Sequence, residues 1–501
     1  MRATTGAARS ALEIGAWLIV LYGVGRALHS EPVDDSFIFF RYATNLAEGH
    51  GFRFNPTGEP VEGFTSVLWV CLLGAWAKVG GDLPQGARWI SLLFGAASVA
   101  LCVPRLREGG RREVWTWVLK LSLASCPAYA FWAGTGMDLS AFMLVTVLIA
   151  RQVARPGGPS WKVGLLLGFG AWVRPEALFV WLPWVVVACV WHAASASSFR
   201  LPLQISGAAA LVVGPQYLLR WLMFHRLFPN TYYAKVGLPL LDALGHGFRY
   251  VWHATPEFLG WLVMGSIVGV VAFYTKKREA LVLLSGAVFW ILYVVLAGGD
   301  HFPMGRFLLP AVPLVIAACA VLLGSAPSLH ERLALRVALA SVLLGSIGSY
   351  RSAESDVARA CVATTRAWAN TGRWLRENER PGTRIATVPA GAIPYWSGME
   401  TFDMLGLVTS EGDAAWKTYA SAAPGHQHYN TDALLRFNPD VIVFNGSGRF
   451  LRKRMMEPDS ISLTWNYPFY AALHDQRVRE RFEPEAHQLP DGTWVEFLRR
   501  K

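Results

Sequence analysis

Apolar residues arrive in long blocks through the first 350 positions, broken by short polar runs. Eleven blocks read as membrane-spanning helices: roughly 11–29, 88–104, 114–133, 140–154, 162–173, 176–192, 201–224, 256–274, 279–297, 307–325 and 332–349. Several are shorter than the ~20 residues of a full crossing, so their ends extend by a few residues. The stretch 65–79 (TSVLWVCLLGAWAKV) is apolar too. At ~1.5 Å per residue it reaches only ~22 Å of a ~30 Å hydrocarbon core. It reads as a helix at the outer surface, inside one long first loop, 30–87. The alternative is a twelfth span and a cytoplasmic tail.

From 351 the pattern changes. Residues 357–379 read as an amphipathic helix, RIATV (384–388) as a short buried strand, NPDVIVFN (438–445) as a second and GTWVEFL (492–498) as a third. Gly391, Gly398 and Gly406 punctuate the segment after the first strand. The expected organisation is a transmembrane domain over 1–350 and a small α/β domain over 351–501. The fold class is therefore a mainly α polytopic membrane protein with about 11 transmembrane helices and a small C-terminal α/β domain outside the cytoplasm.

Composition agrees with this reading. Charged residues make up 16% of the chain, against ~25% in an average soluble protein. Disordered, collagenous and disulfide-scaffold classes are excluded. The net charge of +11 is placed by counting: residues 351–501 hold 19 Lys+Arg and 18 Asp+Glu, leaving +10 in the first 350. That excess clusters at 105–112, 151–162, 276–278 and 332–336, between apolar blocks, as the positive-inside rule requires of cytoplasmic turns. The N-terminus then lies in the cytoplasm, and the first loop and the tail lie outside a bacterial inner membrane. Loop 30–87 fits, with three basic and seven acidic residues. No basic stripe points to nucleic acid. Of six cysteines, five sit in apolar stretches without zinc or disulfide spacing. The first apolar run lacks a clear cleavage site and reads as an uncleaved first helix.

Candidate chemistry concentrates in the outer loops. Asp34 and Asp35 open a segment, SFIFFRYATNLAEGHG, whose Ile38, Phe39, Tyr42, Ala43 and Leu46 share one helical face, with Arg41, Asn45 and Glu48 on the other. It reads as an amphipathic helix on the outer leaflet. One aspartate suffices as an N-cap; the other suits a general base toward a hydroxyl, or a cation site. Glu62 stands where the loop returns to the membrane surface. Asp138, in Gly-Thr-Gly-Met-Asp, reads as a cap for the span at 140. Arg174 and Glu176, between two spans, need each other or a ligand. Tyr232 and Lys235 lie in LFPNTYYAK, and Asp300, His301 and Arg306 in GGDHFPMGR. Cations spread over several outer loops suit a lipid-linked phosphate, which guanidinium binds in bidentate fashion. No nucleotide-binding glycine loop and no His-Glu-x-x-His is present.

The block DDSFIFFRYATNLAEGHGFRFNPTGEPVEGFTS resembles the first periplasmic loop of GT-C membrane glycosyltransferases. It is most similar to the group of the terminal β-(1→2) arabinofuranosyltransferase of mycobacterial arabinan. GTGMD, WVRPEALF, FPNTYYAK, GGDHFPMGRFLLP and AGAIPYWSGMETFDMLGLV resemble further blocks of that group in the same order, so the likeness runs along nearly the whole chain. It implies a polyprenyl-phosphate-linked sugar as donor, inverting transfer to a hydroxyl of a cell-envelope glycan, and an outward-facing site. Asp34 and Asp35 match the family's catalytic acidic pair. Arg174, Arg306 and Lys235 become candidates for the donor phosphate, and Glu62, Asp138, Glu176, Tyr232, Asp300 and His301 for contacts to substrate. Related groups often carry Glu where this chain has Asp138. A divalent cation held by Asp34, Asp35 and Asp138 is an open possibility. The competing class is a transporter or flippase of a lipid-linked sugar, which calls for charges near the bilayer midplane and paired broken helices.

Overall fold

The computed structural model describes residues 2–103, 111–155, 158–192, 200–235, 239–325, 328–409, 416–419, 421–422, 426–444, 463–489, 492 and 494–501. The chain forms two compact units. One comprises 1–31, 85–219 and 240–359; the other comprises 32–84, 220–239 and 360–501. The first loop thus belongs to the same unit as the tail.

The first unit is helical. Among the described residues, five helices are long and apolar enough to cross a membrane: Ala8–Ala27, Leu240–Tyr274, Arg278–Leu296, Arg306–Gly324 and Leu329–Ser349. Shorter apolar helices, including Leu139–Val153, Lys162–Val173 and Ala177–Trp191, accompany them. The expected span 114–133 is broken, because Pro127 has no N–H to donate. One helix ends at Ala124 and another begins at Pro127. The expected span 256–274 begins sixteen residues earlier, at Leu240, and carries Pro256 inside it. Ser328 and Glu331 form a capping box that starts Leu329–Ser349. That helix packs along Leu240–Tyr274, where a Cβ on Gly260 would stand 2.5 Å from the Ser341 carbonyl oxygen. Small residues allow this approach between membrane helices.

The second unit is built on a mixed five-stranded sheet. Its strands are β1 (Arg384–Thr387), β2 (Glu400–Asp403), β5 (Val441–Val443), β6 (Phe482–Gln488) and β7 (Trp494–Arg500), in the order β2-β1-β5-β7-β6. A separate antiparallel pair joins β3 (Lys417–Thr418) to β4 (His428–Tyr429). The neighbours of β1 are parallel to it; β7 is antiparallel to β5 and β6. Alternation sorts the side chains onto two faces. Ile385, Val441, Val443, Val495 and Phe497 join Leu375 and Ile393 on one. Ala386, Ile442 and Leu498 join Phe402, Leu434 and Phe469 on the other. Helices Asp34–Ala47 and Val67–Lys78 pack together in the same unit.

Candidate functional site

Helix Asp34–Ala47 starts from Val33, an extended residue with no side-chain cap. Neither aspartate is the N-cap of its own helix, contrary to the expectation for one of them. Both sit in the first turn, where the helix dipole favours negative charge. The Asp34 carboxylate instead caps a second helix, Ala392–Ser397, across 358 residues of sequence. Its Oδ1 accepts from the Ala392 amide at 2.7 Å and its Oδ2 from the Gly391 amide at 3.1 Å. The residue at 391 must be glycine for this approach, since a Cβ there would stand 1.9 Å from the Asp34 carbonyl oxygen. Burial, with Asp35 and Asp403 nearby, pushes the Asp34 carboxyl up to about 7, against the pull of the two amides.

Of the three polar-face residues, only Glu48 at the end of the helix is solvated, where amphipathicity had suggested that all three would be. Arg41 and Asn45 are buried. Arg41 donates to the carbonyl oxygens of Phe54 (2.8 Å), Met399 (2.7 Å) and Pro394, and to Asn55 Oδ1 (3.0 Å), with its guanidinium 4.6 Å from the Phe54 ring centre. Burial lowers its pKa to about 10. Asn45 donates to the carbonyls of Arg53 and Phe54. The amide of Asn55 pairs with Thr401 as a strand would, accepting from its N–H (3.0 Å) and donating to its C=O (2.9 Å). Tyr42 donates to the Val61 carbonyl at 2.6 Å.

Glu62 forms a buried bidentate pair with Arg220, at 2.6 and 2.9 Å. The Glu62 carbonyl accepts from the Asn230 amide, and the Asn230 side chain donates to the carbonyls of Gly406 and Leu407. Tyr232 is exposed and lies against Phe228 and Tyr233. The Lys235 side chain is outside the described residues. Asp403, which sequence reasoning passed over, is fully buried. It accepts from the amides of Leu405, Leu407 and Val408, and burial raises its pKa to about 6. An aspartate three residues before Gly406 was the available signal, that of a side-chain-stabilised turn.

In the first unit several charges from the loops between helices lie near one another. Asp138 precedes Leu139–Val153 in the N-cap position but makes no cap bond there. It accepts from Arg174 at 3.1 Å, and Arg174 also faces Glu176 at 3.6 Å. Arg306 pairs with Asp300 through two nitrogens and lies over the rings of Phe302 (4.1 Å), Trp132 (5.1 Å) and Phe307 (5.3 Å). Arg174 lies 5.9 Å from the Phe307 ring centre, so this ring is near both guanidiniums. Asp300 Oδ1 accepts from the His301 amide. Arg174 and Arg306 lie near the same ring, and each is already engaged by a carboxylate. Three carboxylates accompany them. Asp138 Oδ2 and Arg174 Nε are buried without partners, which leaves capacity for a ligand's donor and acceptor. Among the described residues, no group of three or more His, Cys, Asp or Glu is gathered so as to hold a metal ion.

A family described as a domain of unknown function (DUF8728) matches residues 358–497. No curated protein matches the chain. Among solved structures the chain is similar to ArnT from Cupriavidus metallidurans bound to undecaprenyl phosphate, with a TM-score of 0.60 and 13% identity over 97% of each chain. It is similar also to the apo state of that protein, with a TM-score of 0.57 and 13% identity over 99% of this chain and 98% of that one. The shared property is the fold, a largely helical architecture with a small C-terminal α/β part, and the likeness covers 97–99% of this chain.

Proposed function

We propose that this chain is a membrane glycosyltransferase that moves a sugar from a polyprenyl-phosphate donor to a hydroxyl of a cell-envelope glycan. The observation that carries the reading is the end-to-end fold likeness to ArnT, a protein solved with undecaprenyl phosphate bound. The first-loop carboxylates supply the base. An aspartate of the pair Asp34 and Asp35 removes the acceptor proton as the acceptor oxygen attacks the anomeric carbon. The bond from that carbon to phosphate oxygen breaks with inversion, and polyprenyl phosphate leaves. A carboxyl near pH 7 is matched to such a task. Arg174, Arg306 and Lys235 are assigned to the leaving phosphate, which offers Arg306 the same bidentate geometry as its present partner Asp300. Glu62, Asp138, Glu176, Tyr232, Asp300 and His301 are assigned to substrate contacts or to the support of those that make them.

The reaction is placed on the outer face of a bacterial inner membrane, with residues 1–350 spanning it and 351–501 outside. The sequence resemblance to arabinofuranosyltransferases makes arabinofuranose the first donor sugar to test. Purified chain in proteoliposomes, given polyprenyl-phosphoarabinofuranose and an arabinan oligosaccharide, is expected to form a new glycosidic linkage. Movement of the lipid-linked sugar across the bilayer with no bond formed would replace this reading with a flippase.

A further inference from the structure

Glu257 lies inside the apolar helix Leu240–Tyr274, directly after Pro256. The reaction outlined above does not use it. The residue is only 7% exposed, and both of its carboxylate oxygens are buried without a hydrogen-bond partner. An ionised carboxylate left alone in an apolar interior is strongly unfavourable, so a membrane helix carries one only with a partner or a ligand.

The surroundings of Glu257 hold oxygen but no cation. Ser352, Glu354 and Cys126 stand beside it. Among the described residues no Lys, Arg or His pairs with it. Ser352 Oγ gives its one hydrogen to the Ser349 carbonyl, at 2.9 Å, so it offers Glu257 an acceptor and not a donor. Glu354 is held in place by the Met304 amide, which donates to its Oε2 at 2.7 Å. A third element reaches the same place. Helix Arg111–Ala124 stops short of Pro127, and in the break Ser125 has a buried hydroxyl without a partner. The Tyr350 hydroxyl donates to the Ser125 carbonyl at 3.5 Å, which ties the break to the segment that carries Ser352 and Glu354. A helix C-terminus carries negative partial charge. In membrane proteins the C-terminal ends of broken helices and their unwound carbonyls coordinate Na+.

The atoms gathered here select the class of ligand. Carboxylate, hydroxyl and carbonyl oxygens suit a hard cation and not zinc or copper. Burial requires that cation to shed its water. Magnesium dehydrates reluctantly, and calcium takes about six to eight oxygens. The two carboxylates lack the third acidic, His or Cys residue that would gather such a set among the described residues.

We propose that Glu257, with Glu354 and the hydroxyls of Ser125 and Ser352, binds one Na+ ion in the helical unit. The ion joins helix Leu240–Tyr274 to the break at Ser125 and to the segment 350–354. Through the Glu354–Met304 bond it also steadies the loop that carries Arg306. This site stands independently of the glycosyltransferase reading.

The test is equilibrium binding of radioactive sodium to the full chain in detergent at pH 8. One ion should bind per chain, displaced by unlabelled NaCl and not by KCl, choline chloride or CaCl2. The unfolding temperature should rise as NaCl replaces choline chloride at constant ionic strength. Glu257→Gln should lose both effects. Ser125→Ala, which keeps every charge, should bind sodium at least threefold more weakly, and it decides the matter if Glu257→Gln does not fold. No bound sodium at pH 8 overturns the site, since Glu257 is then held as a neutral acid. Undiminished binding in folded Glu257→Gln or in Ser125→Ala overturns it as well. Displacement by CaCl2 overturns the choice of a monovalent ion.

Discussion

Replacing Asp34 with asparagine should change how the stability of the second unit depends on pH. The folded-state carboxyl titrates near 7, against an ordinary value of 3.8. Between those values the native chain holds a proton that the unfolded chain has lost, so stability falls as pH rises from about 4 to 7 and is level above. A difference of about 3 units corresponds to at most about 4 kcal/mol. Asp403, near 6, adds a fall of the same sign of at most about 3 kcal/mol that the variant retains. The asparagine side chain keeps one acceptor for the Ala392 amide but turns an NH2 toward the Gly391 amide. The lost bond to a charged acceptor costs about 1.5–3 kcal/mol. Removal of the buried charge offsets that cost at pH 8 and not at pH 4. The unfolding temperature followed by tryptophan fluorescence, with 22 tryptophans in the chain, should decline between pH 4.5 and 8 in the wild type. In Asp34→Asn at least half of that decline should disappear. An unchanged decline would refute the assignment of a raised, structurally engaged carboxyl to Asp34. Transfer activity separates the two roles. General-base removal costs about 10²–10⁴-fold, so one of Asp34→Asn and Asp35→Asn must show that loss, and two fully active variants would exclude the pair as base.

Arg41→Met leaves the carbonyls of Phe54, Pro394 and Met399 without their donor. At about 1 kcal/mol or more for each, the loss should reach at least about 3 kcal/mol, read as faster hydrogen exchange over 391–403; native exchange rates there would show that the fork is dispensable. Gly391→Ala places a methyl group against the Asp34 backbone and should lower transfer and speed exchange at Ala392. Gly207→Ala, in open space on a helix, is the neutral control. Glu62→Gln strands the buried Arg220 charge and should destabilise by about 3–5 kcal/mol. The double replacement Glu62→Met with Arg220→Met should be milder than either single change, and additive losses would argue against a coupled pair.

Much of the helical unit is legible in the chain, because long apolar runs bounded by charge fit little except a membrane crossing. The departures are local: Pro127 breaks an expected span, and Leu240–Tyr274 extends well ahead of its apolar core. In the tail the three strands read from the sequence are buried ones. Among the strands not read, β2 (ETFD) and β6 (FEPEAHQ) are the edges of the sheet. In β6 exposure of alternate residues admits Glu, Pro and His. Strand β2 is buried but only four residues long, with its Thr401 backbone groups taken by Asn55 and its Asp403 carboxylate by turn amides in place of an apolar pattern. The first-loop helix shows a different limit. Helical periodicity separates Arg41 and Asn45 from the apolar face but does not say whether they meet water or backbone carbonyls, since both accept the same hydrogen bonds. The answer depends on residues 391–401, more than 340 positions away.

That dependence bears on the catalytic assignment itself. Two of the blocks that carry the resemblance, 34–66 and 390–408, meet in one unit through Asp34, Arg41 and Asn55. Selection on this interlock alone would preserve Asp34 whether or not it touches a substrate. Its place in a motif is therefore weaker evidence for catalysis than its two bonds to the start of helix Ala392–Ser397 are for structure. Asp35 is not an independent bystander either, because its charge helps to hold the Asp34 proton. Removing the Asp35 charge therefore lowers the Asp34 carboxyl. A pH–rate profile of the wild type does not by itself assign the base, and the two asparagine variants, each with stability and transfer measured together, separate the base from the residue that positions it.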